Sequence, residues 1–308
     1  MLKRFRPAWA VVAWLIISTW PLPSNATLED ANAAIAAADY QRAYSKLVSL
    51  AETGNARAQR MLGGLHLTGL GTAKDPGRAN YWFRKAAENG DRSAMFLLGQ
   101  SYKFGLGVEQ HEKHAFGWYL KAAKHGHLNA QHETGFRYSI GYGTQKNLNR
   151  AVHWYRKAAA KNHSLSLMAL AEMYRFGNTR IPRDIRKSIA LYERAARTKT
   201  KGSAHSLEML ARIFGSKEEG RFDPVSAYAF YVLSAKQRTI DRERDQKRRQ
   251  SFLNKGLLIG SFDRRMKQNQ NALEGLEATL NRLTQRLAPN QLKQGNHQVE
   301  IWSSGNSK

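Results

Sequence analysis

Residues 94–126, AMFLLGQSYKFGLGVEQHEKHAFGWYLKAAKHG, decide how the rest of this chain folds. Small and apolar residues fall at helical spacing on both sides of a Gly-x-Gly hinge at Gly105 and Gly107. The stretch therefore predicts two short helices packed back to back. Gly105 can take the left-handed conformation that ends the first of them at low cost.

The same marks recur at a fixed interval, which is the signature of a repeat architecture. Gly63, Gly99 and Gly135 stand 36 residues apart, with Ala171 in the next place. Trp82, Trp118 and Trp154 keep that spacing, as do Ala79, Ala115 and Ala151, and Lys85, Lys121 and Lys157. Hinge glycines fall at Gly69, Gly105, Gly141 and Gly177. In each unit the small residues let two helices approach closely, while Leu97, Leu98, Tyr102, Trp118 and Tyr119 supply the bulk that fills the remaining space. One such hairpin cannot cover its apolar faces, so copies must stack.

The combined pattern, small-x-x-x-Leu-Gly-x-x-Tyr-x-x-Gly-x-Gly and then Ala-x-x-Trp-Tyr-x-Lys-Ala-Ala-x-x-Gly, resembles the Sel-one-like repeat, a relative of the tetratricopeptide repeat. The match is specific over residues 58–162 and weaker to residue 235. The resemblance implies an all-α fold, a right-handed α/α solenoid of about five 36-residue hairpins followed by C-terminal helices. It also implies an adaptor for other proteins, of a kind frequent in bacterial envelopes, secretion and signalling. In that family the first helices of the hairpins tend to line the concave face. Gln100, Lys103, His132, Phe136, Arg137, Glu172, Arg175 and Arg212 occupy such positions and are the candidate contacts for a protein or peptide partner.

The chain begins with Lys3, Arg4 and Arg6, an apolar run over residues 8–20 and the small residues Ser24, Asn25 and Ala26. This is the pattern of a secretory leader cleaved after Ala26, which would place the mature protein in the periplasm or outside the cell. An uncleaved inner-membrane anchor through residues 8–20 is the alternative, and a short one against the roughly 20 apolar residues a span needs. Residues 27–54 read as a degenerate terminal repeat, with Asp39 and Ala43 standing as Asp75 and Ala79 do in the next copy. Clear repeats cover residues 56–90, 91–126 and 127–162, and weaker ones 165–197 and 203–235. Asn147 in place of Asp75 can still cap a helix, whereas His111 is expected to cap less well. The fourth copy gains a residue near 179–183 and loses its second hinge glycine to Thr179, and a basic insert at 199–202 follows it. A charged and then leucine-striped helical extension is expected over 236–288, its stripe (Met266, Leu273, Leu276, Leu280, Leu283, Leu287) packing back on the solenoid or forming a short coiled coil. Pro289 is expected to open a polar, disordered tail over 289–308.

No cysteine is present, so disulfides and thiolate metal ligands are absent. His111, His114, His125, His127 and His132 lie close in sequence, but the first pair opens a helix and the next closes it, about 20 Å of helix rise away. No HExxH motif accompanies them, and neither a metal nor a cofactor is expected. The Gly-x-Gly pairs lack a Walker ending, and no nucleophile elbow or paired catalytic carboxylates stand in a recognisable motif. The expected function is therefore a non-enzymatic scaffold with a protein partner in the bacterial envelope. The formal net charge of +25 keeps a second partner class open, an anionic envelope polymer or membrane surface held by the basic C-terminal helices. The lack of a reading module and the predicted export argue against nucleic acid. A hydrolase acting on cell wall or antibiotic rests on distant family analogy alone.

Overall fold

The structure, a computed structural model, describes residues 27–178, 181–198, 200, 202–254 and 260–305. The leader at 1–26, Thr179 and part of the 199–202 insert lie outside the described residues. The chain divides into two compact units, one ending at Ala94 and the other beginning at Met95.

In the first unit, α1 (Leu28–Ala36) and α2 (Tyr40–Glu52) form the degenerate hairpin, and α3 (Ala56–Thr68) and α4 (Pro76–Glu88) form the first clear one. Every start is fixed by a side chain that accepts from the third backbone N–H of its helix: Thr27, Asp39, Asn55 and Asp75. Buried Ala31, Leu47, Ala51, Ala58, Leu62 and Leu65 make its core. Two polar side chains tie the layers together. Gln59 donates through Nε2 to the Ala51 carbonyl at 2.9 Å and accepts from Asn89 at 3.0 Å.

A close approach explains the glycine spaced at 36 residues. A Cβ on Gly63 would lie 2.6 Å from the Phe83 ring and 3.0 Å from the Ala79 carbonyl oxygen. In the second unit a Cβ on Gly99 would lie 2.7 Å from the Tyr119 ring, and one on Gly135 2.8 Å from the Tyr155 ring. In these three hairpins a ring of the second helix closes on the glycine of the first. The fully buried aromatic is thus the residue after the tryptophan: Trp82 and Trp118 stay half-exposed, while Phe83 and Tyr119 are sealed. Two of the spaced lysines sit over tryptophans, Lys121 at 4.3 Å from Trp118 and Lys157 at 5.0 Å from Trp154, whereas Lys85 lies over Tyr81 at 6.0 Å.

The second unit continues with α5 (Arg92–Phe104, from Met95), α6 (Glu112–Lys124), α7 (Leu128–Ile140), α8 (Leu148–Ala160), α9 (Ser164–Phe176), α10 (Ile185–Arg197) and α11 (Ser203–Gly215). His111 does cap α6, its Nδ1 accepting from His114 at 3.3 Å, longer than the 2.8 Å that Asp75 achieves in α4. His127 caps α7 in the same way at 3.2 Å. These two members of the histidine cluster thus have structural work, and among the described residues no group of three metal-ligating side chains converges.

Two boundaries differ from the sequence expectation. A single helix, α12 (Pro224–Asn254), runs through the change of composition at 235–236 without a break. The tail expected to be disordered forms α14 (Pro289–Ser303), because its apolar residues find a surface that local sequence does not reveal. Gly295 of α14 repeats the glycine-on-ring contact, here with Tyr228 of α12, and Val299 is buried with Phe230 and Leu233. Trp302 meets Phe230 edge-on at 5.4 Å, with the Arg197 guanidinium 4.7 Å from its ring. Between them α13 (Gly260–Arg286) packs its leucine stripe on its own chain against α12, with Leu273, Leu276 and Leu287 buried.

Candidate protein-binding surface

Helices α5, α7 and α9, the first helices of three successive hairpins, each end in a hinge glycine with positive φ: 66° at Gly105, 83° at Gly141 and 67° at Gly177. The residue just before each hinge is large, apolar and in water. Phe104 is 59% exposed, Ile140 52% and Phe176 67%, one per repeat and all in the second unit. Phe136, a turn before Ile140, and Tyr142 in the hinge loop add to them at 42% and 46%. Scattered exposed apolar residues are ordinary, but the same register position exposed in three successive repeats forms a row.

Cations flank the row. Lys103 Nζ lies 5.2 Å from the Phe104 ring and 3.6 Å from Glu133 Oε1, bridging α5 to α7. The Arg175 guanidinium lies 5.1 Å from the Phe176 ring and is held by Glu219 at 3.0 Å. Arg183 also reaches Glu219, at 3.2 Å.

The eight candidate contacts separate on inspection. Phe136 and Arg212 face water, Arg212 carrying Glu208 at 2.7 Å. Gln100 and Lys103 are half-buried, and Arg175 is mostly enclosed by its pairing. Glu172 is engaged internally, accepting the Tyr192 hydroxyl, whose proton is held more tightly chiefly because of burial and then by that carboxylate. His132 is packed between α7 and α9, with Nδ1 3.2 Å from Ser166 Oγ.

Arg137 is the clear correction: it was expected on the surface and is 1% exposed. Its Nη1 donates to Glu112 Oε2 at 2.7 Å, Nε lies 3.9 Å from Glu133 Oε2, and the guanidinium stacks 4.9 Å from Tyr119 and 5.4 Å from Tyr142. Burial works to raise the Glu112 carboxyl, but the Arg137 hydrogen bond and charge outweigh it and hold the group below its usual range. Arg137 occupies the register of buried Leu65 and Ser101, so an inward position was legible in the repeat; the charge argued the other way. The missed row had a signal too, in the bulky residue repeated directly before the hinge glycines.

One cluster has the outline of a nucleophile with bases. Ser166 Oγ lies 3.0 Å from His163 Nδ1, and His163 Nε2 lies 3.0 Å from Asn129 Oδ1. Ser166 has no exposed surface, so a substrate carbonyl does not reach its oxygen, and the histidines serve to satisfy a buried hydroxyl.

Repeated helix hairpins joined by glycine hinges, with glycine-on-ring contacts between their helices, define an all-α helical-repeat protein. The Sel1 repeat pattern matches residues 56–91, 92–127, 128–163 and 164–197. A Sel1 repeat protein from Oxalobacter formigenes is 31% identical, with a TM-score of 0.64 over 68% of this chain and 85% of that one. A protective antigen of uropathogenic Escherichia coli with an SLR fold is 26% identical at a TM-score of 0.60, over 83% of this chain and 55% of its own length. Among curated proteins none matches. The chain belongs to the Sel1 repeat family, whose repeats typically mediate contacts between proteins.

Proposed function

We propose that this chain is an exported, non-enzymatic scaffold that holds a protein partner of the bacterial envelope on the row Phe104, Ile140 and Phe176. The exposure of these side chains at one register position in three successive repeats carries the reading. With Lys103 and Arg175 already paired to Glu133 and Glu219, the exposed rings favour a partner segment that presents apolar residues. Export is supported by the leader pattern of residues 1–26, and no helix among the described residues is long and apolar enough to cross a membrane.

The test is photo-crosslinking in living cells, with a benzophenone amino acid at Phe104, Ile140 or Phe176 and, as controls, at exposed Arg84 and Arg156 on the second helices. One discrete adduct from the row and none from the controls is the expected result; identical adducts from both sets would refute the surface. Fractionation with N-terminal sequencing tests export, since a chain beginning at Met1 in the cytoplasm would overturn it.

A second reading, attraction to an anionic polymer or membrane surface, is favoured by exposed Arg244, Lys247 and Arg248 along α12. Such binding should weaken steeply with salt, because exposed charges are screened within about 8 Å at physiological ionic strength.

A further inference from the structure

Where the last, weaker repeat passes into the C-terminal helices, α11, α12 and α13 line a cavity of about 430 Å³. Its wall carries Arg238, Arg244 and Arg248 of α12 and Arg265 of α13, against the carboxylates of Asp241 and Asp245. Residues 238, 241, 245 and 248 follow one another at steps of three and four, so a single face of α12 supplies most of the charge. Four guanidinium groups against two carboxylates leave an excess of positive charge along a cleft open to water, with Arg244 and Arg248 exposed at its mouth.

The pairings inside the cavity do not absorb that excess. Asp245 meets Arg265 at 3.5 Å, and Asp241 meets Arg244 at 3.4 Å, both long for charge-assisted hydrogen bonds. Burial holds the Asp241 carboxyl above its usual range, against the opposing pull of its Gln237 hydrogen bond and of Arg244. Arg238 reaches out of the cavity wall to Glu208 at 2.9 Å, and that carboxylate is shared with Arg212. The Arg238 Nε–H is buried and meets no acceptor among the described residues. Arg248 has no carboxylate partner among the described residues. Clustering like charges is costly, and helix packing alone is served as well by neutral side chains. A ligand that brings several anionic oxygens would offset the cost, because the planar guanidinium fork pairs bidentately with such groups.

We propose that this cavity binds a phosphate group, carried either by a small soluble ester or by a lipid headgroup. The space exceeds a bare phosphate, and Gln268 and Asn269 on the α13 wall supply amide groups for the hydroxyls of an attached sugar or glycerol. The site is independent of the apolar row, and it gives the attraction to anions a defined place.

The experiment titrates the full mature chain with inorganic pyrophosphate by calorimetry at about 150 mM salt, where diffuse attraction is screened. The wild type, Arg248→Gln and, as a control, Arg84→Gln on α4 are compared. Both arginines are exposed, so both variants should keep the parent melting temperature. Binding that falls about tenfold or more in Arg248→Gln and is unchanged in Arg84→Gln supports the site. No heat of binding, or equal losses in both variants, overturns it. Vesicles of phosphatidylglycerol in phosphatidylcholine then locate the phosphate. Sedimentation with vesicles that is lost in Arg248→Gln assigns it to a lipid, and pyrophosphate binding without vesicle binding assigns it to a soluble ester. Vesicle binding that persists in Arg248→Gln, with no pyrophosphate binding, refutes the cavity and leaves only the diffuse basic surface.

Discussion

Two adjacent glycines in α3 give opposite predictions for one substitution. At Gly64 an added Cβ meets nothing within 4 Å, whereas at Gly63 it would lie 2.6 and 2.7 Å from two Phe83 ring carbons and 3.0 Å from the Ala79 carbonyl oxygen. Replacing glycine by alanine within a helix is intrinsically worth about 1 kcal/mol in favour of the fold. Gly64→Ala should therefore stabilise by up to that amount. At Gly63 the same gain is opposed by overpacking, which typically costs about 1–3 kcal/mol in a closed core. Phe83 is 1% exposed and cannot swing into water, and the second contact is backbone, so the upper half of that range applies. The net expectation for Gly63→Ala is a loss of about 1–2 kcal/mol. Urea denaturation of the mature chain, followed by circular dichroism, reads both midpoints. Phe83→Leu added to Gly63→Ala removes the clashing ring, and a double-mutant cycle should return a favourable coupling of about 1 kcal/mol or more. If Gly63→Ala proves as stable as Gly64→Ala, or the cycle shows no coupling, the ring contact is not what requires glycine at this position.

Removing the buried cation should be costlier. Arg137→Ala leaves Glu112 without its cation and Glu133 with Lys103 alone, and should lose about 3–5 kcal/mol, while Arg137→Leu with Glu112→Gln, which removes both charges, should lose less; a larger loss in the pair would refute the role assigned to Arg137. Acid should act on the packing between α7 and α9. Burial, and then the neighbouring His163, depress the His132 imidazole to about 4, and burial also lowers His163. The unfolded chain therefore binds the extra proton first: stability is fully present above about pH 6.5 and is lost as pH falls toward 4, by about 2 kcal/mol at pH 5 from His132 alone. His132→Gln, which keeps a hydrogen-bonding group toward Ser166, should flatten urea midpoints between pH 7.5 and 5; an unchanged slope would count against this account. Truncation after residue 288 strips α14 from Phe230 and Leu233 and should lower the midpoint clearly, whereas a tail without packing would be removed at no cost. Phe104→Ser and Phe176→Ser should stay within about 0.5 kcal/mol of the parent while abolishing the partner adduct, since both rings are exposed.

The hairpins, their caps and their hinges could be read from order along the chain because each depends on residues within one or two helical turns. Asn55, Asp75 and Asn147 cap their helices wherever those helices lie, and Gly141 must adopt a positive φ to leave α7. The 36-residue register likewise announced stacking, since a lone hairpin leaves an apolar face uncovered. Tertiary structure alone decided which side of each helix is sealed, and by what. It placed Tyr119 rather than Trp118 against Gly99, gave Arg137 two carboxylates and two rings inside the fold, and turned a polar tail into α14 by offering it Tyr228 and Phe230. Periodicity is a property of one backbone, but burial is a relation between surfaces that meet from distant parts of the chain. Charge and polarity in the sequence state only the cost of such a meeting, and that cost is offset here by partners that become neighbours once the chain has folded.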